Sequence, residues 1–325
     1  MARADIVVKS IGRRILDALA QRIAARIRAP KGATERSLLL LGRMLALNAK
    51  SLPAGTPLAE AEFGVFSQFG EDGIIQHLLA HVPVSSGTFV EFGVQHYVES
   101  NTRFLLLQDN WSGLVIDSSP KYIERIRADG MYWRHDLTAT CAFITRDNIA
   151  ALIAERFPEE ELGLLSIDID GNDYWVWEAI THVRPSIVIC EYNSVLGARL
   201  AVTVPYSGDF DRAKAHYSHL YFGASLPALC RLAERKGYAF VGSNSAGVNA
   251  FFVRKDRLGG LRALSAMEGY VASKFRESRD PSGRMSHLAG MDRLRAIADL
   301  PLLDLETGNL RPIRELFARE LSRRK

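Results

Sequence analysis

The feature that most constrains this chain is a series of short apolar runs between residues 87 and 254, several of which close on an acid. Thr88–Phe92, Gly113–Asp117, Leu164–Ile169 and Ser186–Cys190 read as buried strands, and Tyr132–His135 reads as a shorter one. Helical patterns separate them, over Asn101–Gln108, Pro120–Ala128, Asp147–Phe157 and Tyr174–Ile180. Apolar strands alternating with helices of this length predict a parallel sheet, covered on both faces and joined by right-handed crossovers. A helix over Leu226–Lys236, ended by Gly237, then leads into Tyr238–Gly242 and Val248–Arg254. Those two strands are close enough in sequence to pair as a hairpin at the edge. The expected fold class is α/β, a mostly parallel doubly wound sheet with a closing antiparallel hairpin.

In such a sheet, ligands bind beyond the carboxyl ends of the strands. On this reading those ends carry Glu91, Asp117, Asp136, Asp170 and Glu191. Acids repel a pyrophosphate, and Glu91-Phe92-Gly93-Val94-Gln95-His96-Tyr97 has one glycine rather than GxGxxG, with no GK[ST] after it. Acids suit hydroxyls, an amino group or a sulfonium. Ribose, adenine and a cationic amino acid meet in S-adenosylmethionine, which the crevice favours over NAD or ATP. The stretch Asp168-Ile169-Asp170-Gly171-Asn172-Asp173 is too short for an EF-hand loop and lacks its later glutamate. Glu191-Tyr192-Asn193 follows the next strand, so Asp170, Glu191 and Asn193 are expected oxygen ligands for Mg²⁺ or another divalent cation. The alternative is that Asp168 or Asp170 bonds backbone in a turn while Asp173 caps the next helix.

Taken in order, several of these pieces resemble the class I S-adenosylmethionine-dependent methyltransferases, particularly the FkbM-like branch. The residues are Ser67-Gln68-Phe69-Gly70-Glu71-Asp72, Val90-Glu91-Phe92-Gly93, Val115-Ile116-Asp117 and Ser166-Ile167-Asp168-Ile169-Asp170-Gly171. The likeness runs from about Phe66 to Lys255. It implies a Rossmann-like class I methyltransferase fold, with Glu91 and Gly93 near the methionine part of the cofactor and Asp117 on the ribose hydroxyls. It also implies Asp136 beside the adenine, with Ser67 and Gln68 approaching from the preceding segment. Gln95 and Tyr97 depart from the pattern, standing where a small residue often lets the backbone approach.

Methyl transfer to a hydroxyl needs alignment and a base. The expected bases are Asp170, His216 and His219, the histidines lying in an aromatic insertion, Pro205–Phe222, suited to be a substrate lid. Structural roles for both histidines are the alternative. Asn244, Ser245 and Asn249 near the last hairpin are expected to contact a hydroxylated acceptor. That acceptor is a sugar, glycan or small metabolite by resemblance. The competing functions are transfer to nitrogen or to a lipid-linked acceptor, and a non-catalytic cofactor-binding or assembly module.

The net charge of +4 on 325 residues is too small to argue for nucleic acid, and it is unevenly spread. Residues 1–30 hold Arg3, Lys9, Arg13, Arg14, Arg22, Arg26 and Arg28 against Asp5 and Asp17, which is +5 and leaves −1 for the rest. Val7, Ile11, Ile15, Leu19, Ile23 and Ile27 recur every fourth position, so this segment is expected to be a basic amphipathic helix. Its stripe packs on its own domain, on a second subunit of a homo-oligomer, or on the inner face of an anionic membrane. A transit peptide is a further reading, opposed by the two aspartates. Cys141, Cys190 and Cys230 form no CxxC pair, which fits a reducing, cytoplasmic compartment. The expected organisation is a helical region over 1–60, a cofactor-binding domain over 61–256 and a helical extension over 257–325.

Overall fold

The computed structural model describes residues 31–159 and 161–322; the expected amphipathic helix of residues 1–30 lies outside them. The chain divides into two compact units, Met1–Met44 and Leu45–Lys325. In the first, the described part is the opening of the helix Lys31–Ser51, whose Leu38, Leu40, Leu41 and Met44 are exposed. Among the described residues, no helix is long and apolar enough to cross a membrane.

The larger unit is built on seven strands in the order β3-β2-β1-β4-β5-β8-β7. They are β1 Thr88–Phe92, β2 Ser112–Asp117, β3 Leu137–Cys141, β4 Glu161–Ile167, β5 Arg184–Glu191, β7 Tyr238–Ser243 and β8 Asn249–Arg254; β6, Val202–Thr203, lies elsewhere. β1 to β5 pair in parallel, and β8 runs antiparallel to both β5 and β7. This is the Rossmann-like, doubly wound order of a class I methyltransferase, closed by the expected hairpin.

Alternation along each strand separates two cores. Val90, Phe92, Leu114, Ile116, Leu165, Val188 and Phe252 pack under Ile149, Ile153, Val176, Trp177 and Leu229 of three helices. Their strand neighbours Phe89, Val115, Leu164, Ile187 and Phe251 face Ile74, Leu78, Leu105, Ile123 and Ile126 of three others. The period of two along a strand buries both sets, because both faces are covered. Trp177 packs in the first of these cores.

One strand differs from expectation. Residues 129–135 form turns with Trp133 exposed, and the third strand is Leu137–Cys141. Asp136 therefore precedes that strand instead of following it.

The C-terminal region is mixed, not purely helical. β9 (Pro301–Asp304) pairs with β10 (Leu310–Pro312) and with β6, which comes from the insertion after β5. Leu302, Ile313 and Phe317 bury against Val202, Val204, Leu220 and Tyr221, making a third apolar core. Residues 257–322 thus complete the larger unit. Leu302→Ala, emptying a fully buried position of this core, is expected to cost about 2–5 kcal/mol. Chemical denaturation measures it; a loss below about 0.5 kcal/mol would mean that the extension is only draped over the domain.

Candidate functional site

The backbone leaving β1 sets the floor of the site. Gly93 has φ +71°, and a Cβ there would sit 1.8 Å from the Asp168 carbonyl oxygen, so only glycine lets β1 and β4 part at this spacing. Gln95 and Tyr97, which stand where the sequence resemblance expected small residues, themselves adopt left-handed backbone at φ +48° and +56°. Asp170 does the same beyond β4, at φ +56°. Left-handed non-glycine residues at two adjoining strand ends are costly and are held by what surrounds them.

Two cavities meet over this floor. One, of about 260 Å³, is lined by Asp117, Ser118, Ser119 and Tyr122 after β2, and by Ala142, Phe143 and Ile144 after β3. The other, of about 500 Å³, runs past Gln68, Glu91, His96, Glu191, Asn249 and Arg293. Gly93, Gln95, Asp168 and Asp170 line both.

Asp117 sits at the end of β2 in the smaller cavity, nearly buried. Its two carboxylate oxygens accept from the Gln95 and Ser119 amides, each at 2.8 Å. This fixes the carboxylate while leaving lone pairs for further donors. Glu91 lies beneath the larger cavity and accepts from the amides of Asn101 (2.8 Å) and Thr102 (3.1 Å) and from the Thr102 hydroxyl. It anchors the segment entering the helix Arg103–Gln108. Burial pushes its pKa up to about 7 against the pull of those donors.

The acids beyond β4 and β5 converge. One oxygen each from Asp168, Asp170 and Glu191 lie within 4.8 Å of one another. Burial, Asp170 and Asp173 hold Asp168 well above the usual carboxylate range; burial and the same loop's acids do so for Glu191. Glu191 Oε2 is buried with no hydrogen-bond partner. Arg212 supplies one compensating charge, 2.6 Å from Asp170, with its guanidinium stacked 4.0 Å over Phe222. Asp173 is spent on the turn itself, accepting from the amides of Ile169 and Gly171; it is the first residue of the helix Asp173–Ala179, whose N-cap is Asn172, so the expected capping by Asp173 is replaced by this turn.

Several expected site residues belong elsewhere. Asp136, at the amino end of β3, pairs with Arg156 at 2.7 Å, so it faces away from the crevice; Phe143 and Ile144 occupy the place assigned to it. The Ser67 hydroxyl accepts from the Asp72 amide while Asp72 gathers the amides of Val65, Phe66 and Ser67, leaving Gln68 to reach the cavity. Asn193 donates to the carbonyls of Leu220 and Phe222 and accepts from Val195, which uses up its side chain as a brace. Asp168 takes its place among the acids. His216 bonds Ser218 and His219 lies 3.9 Å from Glu277; neither lines the crevice, so neither is placed to be a base. Asn244 is consumed by Glu71 and the hairpin backbone, and Ser245 by Glu62, whereas Asn249 does reach the cavity.

Sequence reasoning passed over His96, Asp168 and the whole wall formed by Ser273, Phe275, Glu277 and Arg293. Asp168 had a signal: two residues before Asp170, it shares that residue's side of an extended chain. The wall had none, being far away in sequence.

No protein-family model matches the sequence, and no curated protein matches it. Among solved structures, the chain is similar to an O-methyltransferase from Bacillus cereus in complex with SAH, at 12% identity over 72% of this chain and 95% of that one (TM-score 0.38). It is similar to an S-adenosylmethionine dependent methyltransferase from Mesorhizobium loti at 15% identity, over 57% and 100% (TM-score 0.37). An O-methyltransferase family protein from Burkholderia thailandensis matches at 10% identity, over 75% and 60% (TM-score 0.33). At such low values the fold assignment rests on the strand order itself.

The raised pKa of Glu91 predicts a pH signature. A carboxyl whose folded pKa lies above its unfolded value adds stability at low pH, and that contribution fades as pH rises through the folded pKa. Glu91→Gln stays neutral throughout, so its melting temperature should gain on the wild type between pH 4.5 and about 7. A difference independent of pH over that window would place Glu91 in an ordinary, solvated environment.

Proposed function

We propose that this chain is an S-adenosylmethionine-dependent methyltransferase acting on a hydroxyl of a sugar, glycan or small metabolite, with a divalent cation at the acid cluster. The observation that carries the reading is the pair of cavities meeting over Gly93 at the carboxyl ends of β1, β2 and β4. The smaller has the features an adenosine needs: a fixed carboxylate, Asp117, for the ribose hydroxyls, and apolar Phe143 and Ile144 for the base. The larger leaves room for the methionine end and an acceptor. The FkbM-like assignment is supported by the four sequence segments alone.

The chemistry is an in-line displacement. An acceptor oxygen forms a bond to the methyl carbon, the carbon–sulfur bond breaks, its electron pair returns to sulfur, and the hydroxyl proton leaves to a base. The enzyme's task is to align oxygen, carbon and sulfur and to receive the proton. Asp168 and Glu191, their pKa values raised by burial and by neighbouring acids, line the larger cavity as the carboxylates to receive that proton. Asp170 is positioned by Arg212 on the same cluster.

Oxygen-only donors this close suit Mg²⁺, Ca²⁺ or Mn²⁺, and the partnerless Oε2 of Glu191 fits a cation as its missing partner. Asp168, Asp170 and Glu191 would hold it. When bound, such an ion acts as a Lewis acid that makes an acceptor hydroxyl easier to deprotonate.

Calorimetry with SAH is the deciding test. Wild type is expected to bind, and Asp117→Ala to bind at least tenfold more weakly, about 1.4 kcal/mol. No binding by wild type removes the methyl-transfer reading; equal binding by the variant removes Asp117 from the ribose. Titrating Mg²⁺ into the SAH-loaded chain tests the cation separately. Glu191→Gln is expected to weaken Mg²⁺ at least tenfold, and a wild type without affinity for Mg²⁺, Ca²⁺ or Mn²⁺ ends that part of the proposal.

A further inference from the structure

The wall brought by residues 273–293 is chemically unlike the rest of the crevice. Elsewhere the larger cavity presents the acids Glu91, Asp168, Asp170 and Glu191, and the wall itself adds one more, Glu277, beside the cation Arg293. Each has a partner or a shared role. Glu91 is held by three donors, Asp170 by Arg212, and Glu277 stands between Arg279 at 3.6 Å and His219 at 3.9 Å. Arg293 does not. It lines the cavity from the helix Met291–Ala296, and among the described residues no carboxylate lies within ion-pair distance of it.

Its hydrogen bonding is equally thin. Nη1 reaches the Ser273 carbonyl at a long 3.5 Å, and Nε is buried with no partner. A guanidinium has five donors in a planar fork and stays protonated in proteins, so a half-buried one with most donors idle is costly unless something arrives to use them. Burial and nearby Arg212 lower its pKa, and a guanidinium keeps its proton in proteins. Buried donors left unmade are uncommon in folded chains and call for a partner; here the residue that carries them lines a cavity able to admit one.

We propose that Arg293 binds an oxyanion group on the acceptor, a carboxylate foremost, which makes the substrate a hydroxylated acid such as a uronic-acid sugar. The proposal rests on the methyl-transfer reading and narrows its substrate class. A carboxylate accepts two parallel N–H bonds from the guanidinium fork, fixing position and angle together. The anion would be held on this wall while a hydroxyl of the same molecule is presented to the cluster of Asp168, Asp170 and Glu191. Arg293 acts here as a specificity-determining residue and touches no reacting atom.

The test uses the full chain loaded with SAH and titrated with D-glucuronate, D-glucose 6-phosphate and D-glucose, followed by calorimetry and saturation-transfer NMR. The expected result is binding of glucuronate at least tenfold tighter than glucose. Arg293→Gln should remove that preference, and Arg293→Lys should keep part of it. Binding of the phosphate sugar in preference to glucuronate supports the oxyanion site and assigns it to phosphorylated acceptors. Glucose bound as well as glucuronate, no sugar bound at all, or a preference untouched in Arg293→Gln would each overturn the proposal. Anion preference in a chain that does not bind SAH would overturn the methyl-transfer reading and leave the anion site standing. Near-native circular dichroism of both variants, with SAH affinity intact, separates loss of the anion site from loss of the fold.

Discussion

The constraint on which the site depends is the cost of gathering Glu91, Asp168, Asp170, Asp173 and Glu191 at neighbouring strand ends, most of them out of water. Burying ionised carboxylates together is unfavourable unless each is hydrogen-bonded, paired or protonated. The chain applies all three remedies. Backbone amides and Thr102 surround Glu91, and the Ile169 and Gly171 amides hold Asp173. Arg212 pairs with Asp170. Asp168 and Glu191 are left with pKa values pushed upward, toward the protonated form.

Much of the surrounding polar structure exists to hold this arrangement in place. Asn193 ties the end of β5 to the carbonyls of Leu220 and Phe222, and Phe222 in turn carries the guanidinium of Arg212. Glu71 accepts from both Asn244 and Asn249, fastening the β7–β8 turn to the start of the helix Glu71–His81. Asn193, Glu71 and Asn244 have their side chains spoken for, whereas Asn249 gives its amide nitrogen to Glu71 and keeps Oδ1 without a partner. Proximity to a cleft and availability to a ligand are separate properties, and only hydrogen-bond accounting tells them apart.

The sheet was legible because its strands bury both faces. Thr88–Phe92 and the helix Pro120–Ala128 fall where the pattern predicts, since continuous apolar runs and a proline at the helix start leave few alternatives. The third strand was misread for the converse reason. Tyr132-Trp133-Arg134-His135 has strand-like aromatic content but forms an exposed turn, whereas Leu137-Thr138-Ala139-Thr140-Cys141 is an edge strand with only Leu137 and Ala139 buried. A shift of a few residues there carried Asp136 from one end of the sheet to the other. The acids after β1, β2, β4 and β5 were found because strand ends locate them. The roles of Asn193, His216 and His219 were not, because hydrogen-bond partners distant in sequence decide them.

The wall of Ser273, Phe275, Glu277 and Arg293 also gives the molecule a temporal asymmetry. During synthesis, chains emerge amino end first and domains begin folding as their segments become available. All seven strands of the main sheet lie before Lys255, while this wall and the β9–β10 pair that supports its neighbourhood lie after it. A nascent chain can therefore assemble the strand ends and their acids as an open shelf before the crevice has its far side. The residues of the wall therefore join the crevice after the strand ends they face.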